Sequence, residues 1–344
     1  MNADYLDKLD KEDKDNFPKI TIITPSFNQG QFLEQTIISV LNQNYPNLEY
    51  IIIDGGSKDN SVDIIKKYAA KITYWTSEPD KGQSEAINKG LRIATGDIIN
   101  WLNSDDYYEP ETLFKVAEGF RNPSITSVLG RSHLFRGERE IVYNSHGTDV
   151  YAGNLAKTIG WARMDQPETF FRKSAVDKMG LLDTRLHYLM DRDWWIKYLF
   201  LFGLDGIHII PDILVNFRLH ADSKTVSQAS NFQIDHDTFY YSLAKGFNFN
   251  QHSGLIKSLF QINEGFEIQL KGTYDKDLVE KVLNYYLLKR ADETYAQDDK
   301  SRTKQLLNSI NEKLLEREDL KLKNKISFRN KYVPAFLISA LRRK

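Results

Sequence analysis

The sequence predicts an α/β fold: a doubly wound, mostly parallel sheet flanked by helices, followed by a C-terminal domain built of helices. Three observations predict it. The first part of the chain alternates short apolar runs with amphipathic stretches of helical period. The apolar runs are continuous rather than alternating, as expected of parallel strands that are buried on both faces. From about Ala221 the pattern is helical throughout.

Composition limits the function classes. A chain of 344 residues fits a core domain with an appendage, and we predict a polar lead-in (1–16), an α/β domain (17–220) and a helical domain (221–344). The formal net charge of −1 gives no overall attraction to nucleic acid. The chain has no cysteine, which excludes disulfides and thiolate sites. The start lacks the apolar core of a secretory signal and no apolar run spans a bilayer, so a cytoplasmic location is expected.

The elements of the first domain follow one another with short links, which implies parallel strands joined by right-handed crossovers. The predicted order is strand 19–26, helix 31–43, strand 50–53, helix 61–68, strand 72–76, helix 84–93 and strand 98–102. A helix at 111–120, antiparallel strands within 127–143, helices at 175–179 and 191–202, and strands at 207–211 and 214–220 complete it. The predicted C-terminal helices are 232–245, 254–270, 276–296 and 301–315.

Polar side chains end each of the first four strands: Thr24 and Ser26, Asp54, Asp80, and Asp105 with Asp106. A single Asp after a strand is usually a turn or a helix cap. The carboxyl ends of parallel strands lie on one edge of the sheet, where open α/β folds bind their ligands. Four polar strand ends in succession therefore favour a ligand crevice. The glycines at 55, 56 and 82 let the backbone approach a ligand or adopt positive φ.

Asp105 and Asp106 end the apolar run 98–102. Adjacent carboxylates repel each other unless a cation shares the site, and Mg²⁺ or Mn²⁺ carrying a diphosphate suits two acids at this place. The alternative is a solvated turn, because Asp and Ser are ordinary turn residues. The first strand is followed by neither Gly-x-Gly-x-x-Gly nor Gly-x-x-x-x-Gly-Lys-Ser/Thr, which argues against a dinucleotide fold and a P-loop.

Seven segments, in this order, resemble the motifs of family 2 glycosyltransferases of the GT-A fold, over roughly Pro18 to His220. They are Thr24-Pro25-Ser26-Phe27-Asn28, Ile53-Asp54-Gly55-Gly56-Ser57-Lys58-Asp59, Ser77-Glu78-Pro79-Asp80-Lys81-Gly82, Leu102-Asn103-Ser104-Asp105-Asp106, Phe170-Phe171-Arg172, Met190-Asp191-Arg192-Asp193-Trp194 and Arg218-Leu219-His220.

The resemblance implies a nucleotide-sugar donor, most often linked to UDP, and a divalent metal, Mn²⁺ or Mg²⁺. By motif position, Asp105 and His220 would bind the metal, and Asp191 would be the catalytic base of an inverting reaction. The donor would be bound by Thr24, Pro25, Ser26, Asp54, Asp80, Gly82, Ser104 and Arg218.

Two positions depart from the family pattern. Asn103 stands where the first acid of Asp-x-Asp is expected, and Met190 replaces the acid that usually precedes the base. The second departure leaves Asp193 as an alternative base. Gln166, Glu168, Asp193 and Trp194 could face the acceptor, with an ordinary loop or core role as the alternative.

The implied reaction is inverting transfer of a hexosyl or N-acetylhexosaminyl group to a saccharide or lipid-linked glycan, and by analogy the setting is cell-envelope polysaccharide biosynthesis. The alternatives are a non-catalytic nucleotide-sugar-binding or scaffold protein and a nucleotidyltransferase. Residues 321–344 are basic and contain no acid. They predict either peripheral contact with the inner face of the membrane or a terminal helix docked on its own domain.

Overall fold

Four parallel strands form the part of the sheet that carries the predicted crevice. They are β1 (Ile20–Ser26), β2 (Leu48–Asp54), β3 (Tyr74–Ser77) and β4 (Ile98–Trp101). β1 pairs with both β2 and β4, and every residue of β1 and β4 is buried, which explains their continuous apolar sequence. β3 is more exposed because it lies at the edge of the sheet. These coordinates are a computed structural model, which describes residues 17–220, 223, 228–270 and 274–333.

Beyond β4 the sheet becomes mixed. The remaining strands are β5 (Tyr107–Tyr108), β6 (Ser127–Arg136), β7 (Glu140–Asn144), β8 (Thr169–Arg172) and β9 (Ile207–Arg218). Within the described residues the strand order is β3-β2-β1-β4-β8-β6-β9-β5, with β7 paired to β6. β8 is antiparallel to both β4 and β6, whereas β6 and β9 are parallel.

Helices connect and cover the strands. They are α1 (Gly30–Leu41), α2 (Ser61–Tyr68), α3 (Gln83–Ile93), α4 (Thr112–Gly119), α5 (Leu155–Gly160), α6 (Lys173–Met179) and α7 (Met190–Phe202). The apolar faces of α1 and α4 bury Leu33, Ile37 and Leu113 in one core with the strands. α1, α3 and α7 begin near the carboxyl edge of the parallel strands, where a site can form.

The chain divides into two compact units. The first contains the described residues within Met1–Asp149 and Arg163–Ala229, and the second those within Val150–Ala162 and Ser230–Lys344. The second unit contains α5 and the helices α8 (Ala229–Gly246), α9 (Asn250–Leu259), α10 (Lys276–Ala296), α11 (Lys300–Asn308) and α12 (Arg317–Tyr332). No helix in the described part of the chain is both long and apolar enough to cross a membrane.

α5 is the element that the predicted domain boundary at 220 does not account for, since it lies within 17–220 yet belongs to the helical unit. Gly160 allows α5 to pack closely against α10. A Cβ at this position would lie 2.6 Å from both Tyr285 Cβ and the Val282 carbonyl oxygen of α10. Asn154 caps α5 at Lys157 N and donates to the Tyr285 hydroxyl at 2.9 Å. A six-residue helix is too short to predict from periodicity, and these partners are distant in sequence.

Several predicted bounds were wrong. The helix predicted at 254–270 is Asn250–Leu259, and the two late strands are one strand, Ile207–Arg218, which continues through Pro211 where the pairing with β6 shifts register. The helix predicted at 175–179 begins two residues earlier, at Lys173. The predicted lead-in to Asn16 and the end of the tail beyond Val333 lie outside the described residues.

Candidate functional site

The ends of β1 and β2 lie side by side, with Ser26 opposite Asp54. The Thr24 hydroxyl is buried against the Tyr50 hydroxyl at 3.1 Å, and the buried Ser26 Oγ has no hydrogen-bond partner among the described residues. Asp54 is fully buried. Its carboxylate accepts hydrogen bonds from Ser57 N at 2.9 Å and from the Ser77 hydroxyl at 2.7 Å, so it fixes the loops that follow β2 and β3.

The loop after β3 places an acid beside an exposed aromatic ring. Asp80 accepts a hydrogen bond from Gly82 N at 2.8 Å, and Gly82 has a φ of +115° that suits glycine. A Cβ on Gly55 would lie 2.8 Å from Asp80 Oδ2 and 3.2 Å from the ring of Phe27. Phe27 itself is 59% exposed. Asp80, Phe27 and the Gly55 backbone therefore share one rim, with a flat apolar surface next to a carboxylate.

Phe27 was not among the predicted site residues. The signal was present in the sequence, because Phe27 stands alone between the polar residues Ser26 and Asn28 after the end of a strand. Asn28 has a φ of +52°, which marks a tight turn. A large ring in such a turn has little core to pack against and is free to meet a ligand.

Asp105 and Asp106 lie in different environments in the turn that follows β4. Asp106 is buried and accepts a hydrogen bond from Arg218 N at 2.9 Å, and burial raises the pKa of its carboxyl well above the usual range. Asp105 is partly exposed, and its Oδ2 lies 3.0 Å from His220 Nε2. Ser104, between Asn103 and this pair, is buried. The turn thus presents the Asp105 carboxylate toward the imidazole of His220, which follows β9, while Asp106 supports the backbone.

Arg218, at the end of β9, holds this turn in place. Its Nε donates to the Asp105 carbonyl at 2.9 Å and its Nη1 to the Gly137 carbonyl at 3.1 Å, while Nη2 bonds Gln35. The guanidinium also lies 4.5 Å from the ring centroid of Phe32. We predicted Arg218 as a donor-binding residue. In this structure each guanidinium nitrogen already has a protein partner, so its observed contacts are structural.

The pair formed by Asp105 and His220 matches the chemistry of a divalent metal. Mn²⁺ accepts carboxylate oxygen and imidazole nitrogen, and these two side chains meet within 3.0 Å. The ring of His220 packs on Phe32 at 4.8 Å, which limits its rotation. Within the described ranges, no group of three or more His, Asp, Glu or Cys side chains could hold a metal. Asp105 and His220 would supply two ligands to such a metal, and oxygens of a diphosphate and water would have to supply the others.

The start of α7 contains both candidate bases, and their environments differ. Asp193 is 1% exposed and pairs with Lys197 one helical turn later at 2.6 Å, with burial raising its pKa to about 6. Asp191 is partly exposed and accepts a hydrogen bond from Arg192 N at 2.7 Å. Burial also raises the pKa of Asp191. Asp191 alone of the two can reach a ligand.

Two contacts bring α7 next to the turn after β4. Ser84 Oγ donates to the sulfur of Met190 at 2.7 Å, which joins the first turn of α3 to the first turn of α7. The neighbouring Gln83 Nε2 donates to Asn103 Oδ1 at 2.8 Å. Asn103 and Met190, the two departures from the family pattern, are thus held by adjacent residues of α3. This connection places Asp191 on the same edge of the sheet as Asp105.

The residues predicted to face an acceptor are buried. Gln166 donates to the Asn100 side chain and to the Trp101 carbonyl, each at 2.8 Å, and so fixes the end of β4. Glu168 is fully buried, and burial raises its pKa well above the usual range. Trp194 is fully buried and donates to the Gly180 carbonyl at 2.9 Å. With Asp193 in its ion pair, none of these four side chains is presented to an acceptor in this structure.

Comparison with known proteins identifies the family. The protein-family model described as glycosyl transferase family 2 matches residues 21–180 of this sequence. An uncharacterized glycosyltransferase of Mycobacterium tuberculosis is 36% identical over 187 residues, which cover 52% of this chain and 68% of the relative. This chain belongs to glycosyl transferase family 2. An uncharacterized glycosyltransferase of Rickettsia typhi is 28% identical over 239 residues, covering 66% of this family 2 chain and 72% of the relative.

Solved structures support the GT-A fold of this glycosyltransferase. S. aureus TarS 1–349 in complex with UDP-GlcNAc has a TM-score of 0.60 at 15% identity, covering 90% of this chain and 86% of TarS 1–349. The mannosyltransferase PcManGT from Pyrobaculum calidifontis, in complex with GDP-Man and Mn²⁺, has a TM-score of 0.51 at 17% identity, covering 96% of this chain and 92% of PcManGT. At these identities the likeness concerns the fold. Asp191, Arg218 and His220 lie beyond the residues that the family model matches.

Proposed function

We propose that this glycosyltransferase moves a sugar from a nucleotide-sugar donor to a hydroxyl of a saccharide or lipid-linked glycan, with inversion at the anomeric carbon. The main support is the contrast at the start of α7. Asp193 is buried against Lys197, whereas Asp191 is partly exposed on the edge of the sheet that bears Asp105. A single accessible carboxylate suits a one-step displacement, which needs one base and no second nucleophile.

In this mechanism Asp191 accepts the proton of the acceptor hydroxyl while the hydroxyl oxygen bonds to the anomeric carbon. The bond from that carbon to the diphosphate oxygen breaks, and a nucleoside diphosphate leaves with the electron pair. The raised pKa of Asp191 makes it a stronger base than an ordinary carboxylate. Asp105 and His220 would hold a divalent metal, Mn²⁺ or Mg²⁺, which supplies positive charge to the departing diphosphate.

The donor would bind along the ends of β1 to β4. We propose that the exposed ring of Phe27 stacks on the base and that Asp80 accepts hydrogen bonds from the base or ribose. UDP is the favoured nucleotide, because the TarS structure with TM-score 0.60 contains UDP-GlcNAc. GDP is the alternative, since PcManGT contains GDP-Man. Thr24, Pro25, Ser26, Asp54, Gly82 and Ser104 would shape this pocket rather than each contact the donor, since Thr24 and Asp54 are already hydrogen-bonded in the interior.

The acceptor would be a growing glycan of the cell envelope, free or attached to a lipid on the inner face of the membrane. A hexosyl or N-acetylhexosaminyl group fits the UDP-linked donors expected here. The acceptor hydroxyl must approach Asp191 from the open side of α7, because Gln166, Glu168 and Trp194 are interior.

A donor panel tests the proposal. UDP-, GDP- and dTDP-sugars are added to the full-length protein with Mn²⁺, and binding is measured as a rise in Tm. Nucleotide release and the anomeric configuration of the product are then measured with the best donor. We expect preferential binding of a UDP-sugar, release of UDP, and an inverted product. Retention of configuration would overturn the mechanism, and donor binding without any release of UDP would favour the non-catalytic alternative.

A further inference from the structure

Helix α12, the last element in the described part of the second unit, presents two aromatic rings to solvent. Phe328 and Tyr332 on α12 are 61% and 60% exposed, and their ring centroids are 5.1 Å apart. Asp319 and Ile326 on the same helix are buried, so α12 is already anchored by another face. Two adjacent exposed rings on a helix that already packs through another face form a small apolar patch on the surface. These rings contribute little to the core of the helical unit.

Cations occupy the same outward face. Lys321, Lys325, Phe328 and Tyr332 follow one another at spacings of four, three and four residues, which places them on one side of a helix. We call these four residues the aromatic-lysine face. Lys331 is exposed beside it and lies 4.9 Å from the Tyr332 ring. The acid facing this side is Glu318, which pairs with Lys321 at 2.6 Å, and exposed pairs of this kind are weak.

The sequence beyond α12 has the same combination of apolar and basic residues. From Lys321 to the end at Lys344 there is no acid. Residues 334–344, which lie outside the described part, read Pro-Ala-Phe-Leu-Ile-Ser-Ala-Leu-Arg-Arg-Lys. Apolar side chains accompanied by lysine and arginine are the composition that binds anionic membrane surfaces, where rings and lysine stems enter the headgroup region and the charges meet lipid phosphates.

We infer that the aromatic-lysine face of α12 binds the headgroup region of an anionic lipid bilayer. Charge complementarity favours this partner over a second copy of the chain, since a dimer would bring the lysines of two copies together. The whole chain has a formal net charge of −1, so any attraction to an anionic surface comes from this basic stretch and not from the overall charge. The inference concerns lipid binding alone and needs neither a donor nor catalysis.

Vesicle flotation of the full-length protein tests the inference. We expect the protein to float with mixed phosphatidylcholine–phosphatidylglycerol vesicles and to remain unbound with phosphatidylcholine alone. Each unit of charge near an anionic surface changes binding about fivefold, and Lys325→Glu changes the charge by two units, so partitioning should weaken by roughly 25-fold. Phe328→Ala/Tyr332→Ala should abolish flotation at high salt, where charge attraction is screened. The matched controls are Lys304→Glu, an exposed lysine of α11, and Tyr74→Ala, an exposed ring of β3.

Several results would overturn the inference. Equal binding to neutral and anionic vesicles would remove the charge argument, and unchanged binding by both α12 variants would assign the contact to residues 334–344. A concentration-dependent dimer that Phe328→Ala/Tyr332→Ala dissociates, without vesicle binding by the parent protein, would make the face a subunit interface. Circular dichroism of each variant checks that α12 remains folded. Sugar transfer to a soluble acceptor is measured separately, so failure of either proposal is recognised independently.

Discussion

The Arg218 guanidinium donates through Nε to the main-chain carbonyl of Asp105 at 2.9 Å, and the same residue's backbone N–H donates to the Asp106 carboxylate at 2.9 Å. Two residues later, His220 places its ring 3.0 Å from the Asp105 side chain. The end of β9 thus contacts the turn after β4 through main chain and side chain together. The direction in which Asp105 points therefore depends on Arg218.

Arg218→Lys should weaken metal-dependent donor binding. Lysine keeps the charge but loses the planar fork that reaches three partners at once. We expect Mn²⁺-dependent binding of UDP, measured by calorimetry, to fall about tenfold, equivalent to about 1.4 kcal/mol. Arg172→Lys is the matched control, because Arg172 bonds the carbonyls of Ile125 and Phe120 and packs over the Phe120 ring. Equal Tm losses with equal UDP binding in both variants would show that Arg218 only stabilises the fold.

Asp191→Asn and Asp193→Asn should fail in different ways. Asp191→Asn removes the proposed base, so transfer should fall by a factor of about 10² to 10⁴ while Tm and UDP binding stay close to wild type. Asp193→Asn leaves the largely buried Lys197 without its carboxylate, which should cost roughly 3–5 kcal/mol of stability. Thermal unfolding and turnover per folded molecule separate these effects. Adding Lys197→Met to Asp193→Asn should recover stability. An active Asp191→Asn enzyme would remove Asp191 from its role.

The pH dependence of kcat/KM should reflect the environment of Asp191. A base acts only when it has lost its proton, so activity rises with pH through its pKa. Burial raises the pKa of Asp191, which moves this rise to higher pH than an ordinary aspartate would give. Rates measured between pH 4 and 8, with UDP binding followed in parallel, check the prediction. A rise that follows UDP binding instead would assign the titration to the donor site.

The sequence was sufficient for the parallel strands and for the shared edge, because strands such as β1 are buried on both faces and leave a continuous apolar pattern. The meeting of Asp105 and His220 also agrees with the motif order. Burial of polar side chains was harder to predict. Glu168 and Gln166 read as polar residues before a strand, yet tertiary packing places both in the interior. The pairing of Asp193 with Lys197 was visible as an i, i+4 spacing.

Phe27→Ala should raise the donor KM with little effect on stability. The ring is 59% exposed and so contributes little to the core, whereas stacking of a base on an aromatic ring is worth about 1–3 kcal/mol. We expect KM for the UDP-sugar to rise by roughly tenfold, with kcat less affected. Phe27→Tyr, which keeps the ring, should bind like wild type. An unchanged KM for Phe27→Ala would show that the base lies elsewhere.

Gly55→Ala should alter the donor site through one added methyl group. Its Cβ would lie 2.8 Å from Asp80 Oδ2 and 3.2 Å from the Phe27 ring, so the carboxylate or the ring must move. Asp80 is also tied to Gly82 N at 2.8 Å, which limits where its carboxylate can go. We expect weaker UDP binding by calorimetry with Tm nearly unchanged, because the crowded groups are at the surface rim. Gly254→Ala in α9 is the control, since a Cβ there meets no atom within 4 Å and alanine favours a helix by about 0.5–1 kcal/mol. If Gly55→Ala bound UDP as tightly as Gly254→Ala, Asp80 and Phe27 would not both be donor contacts.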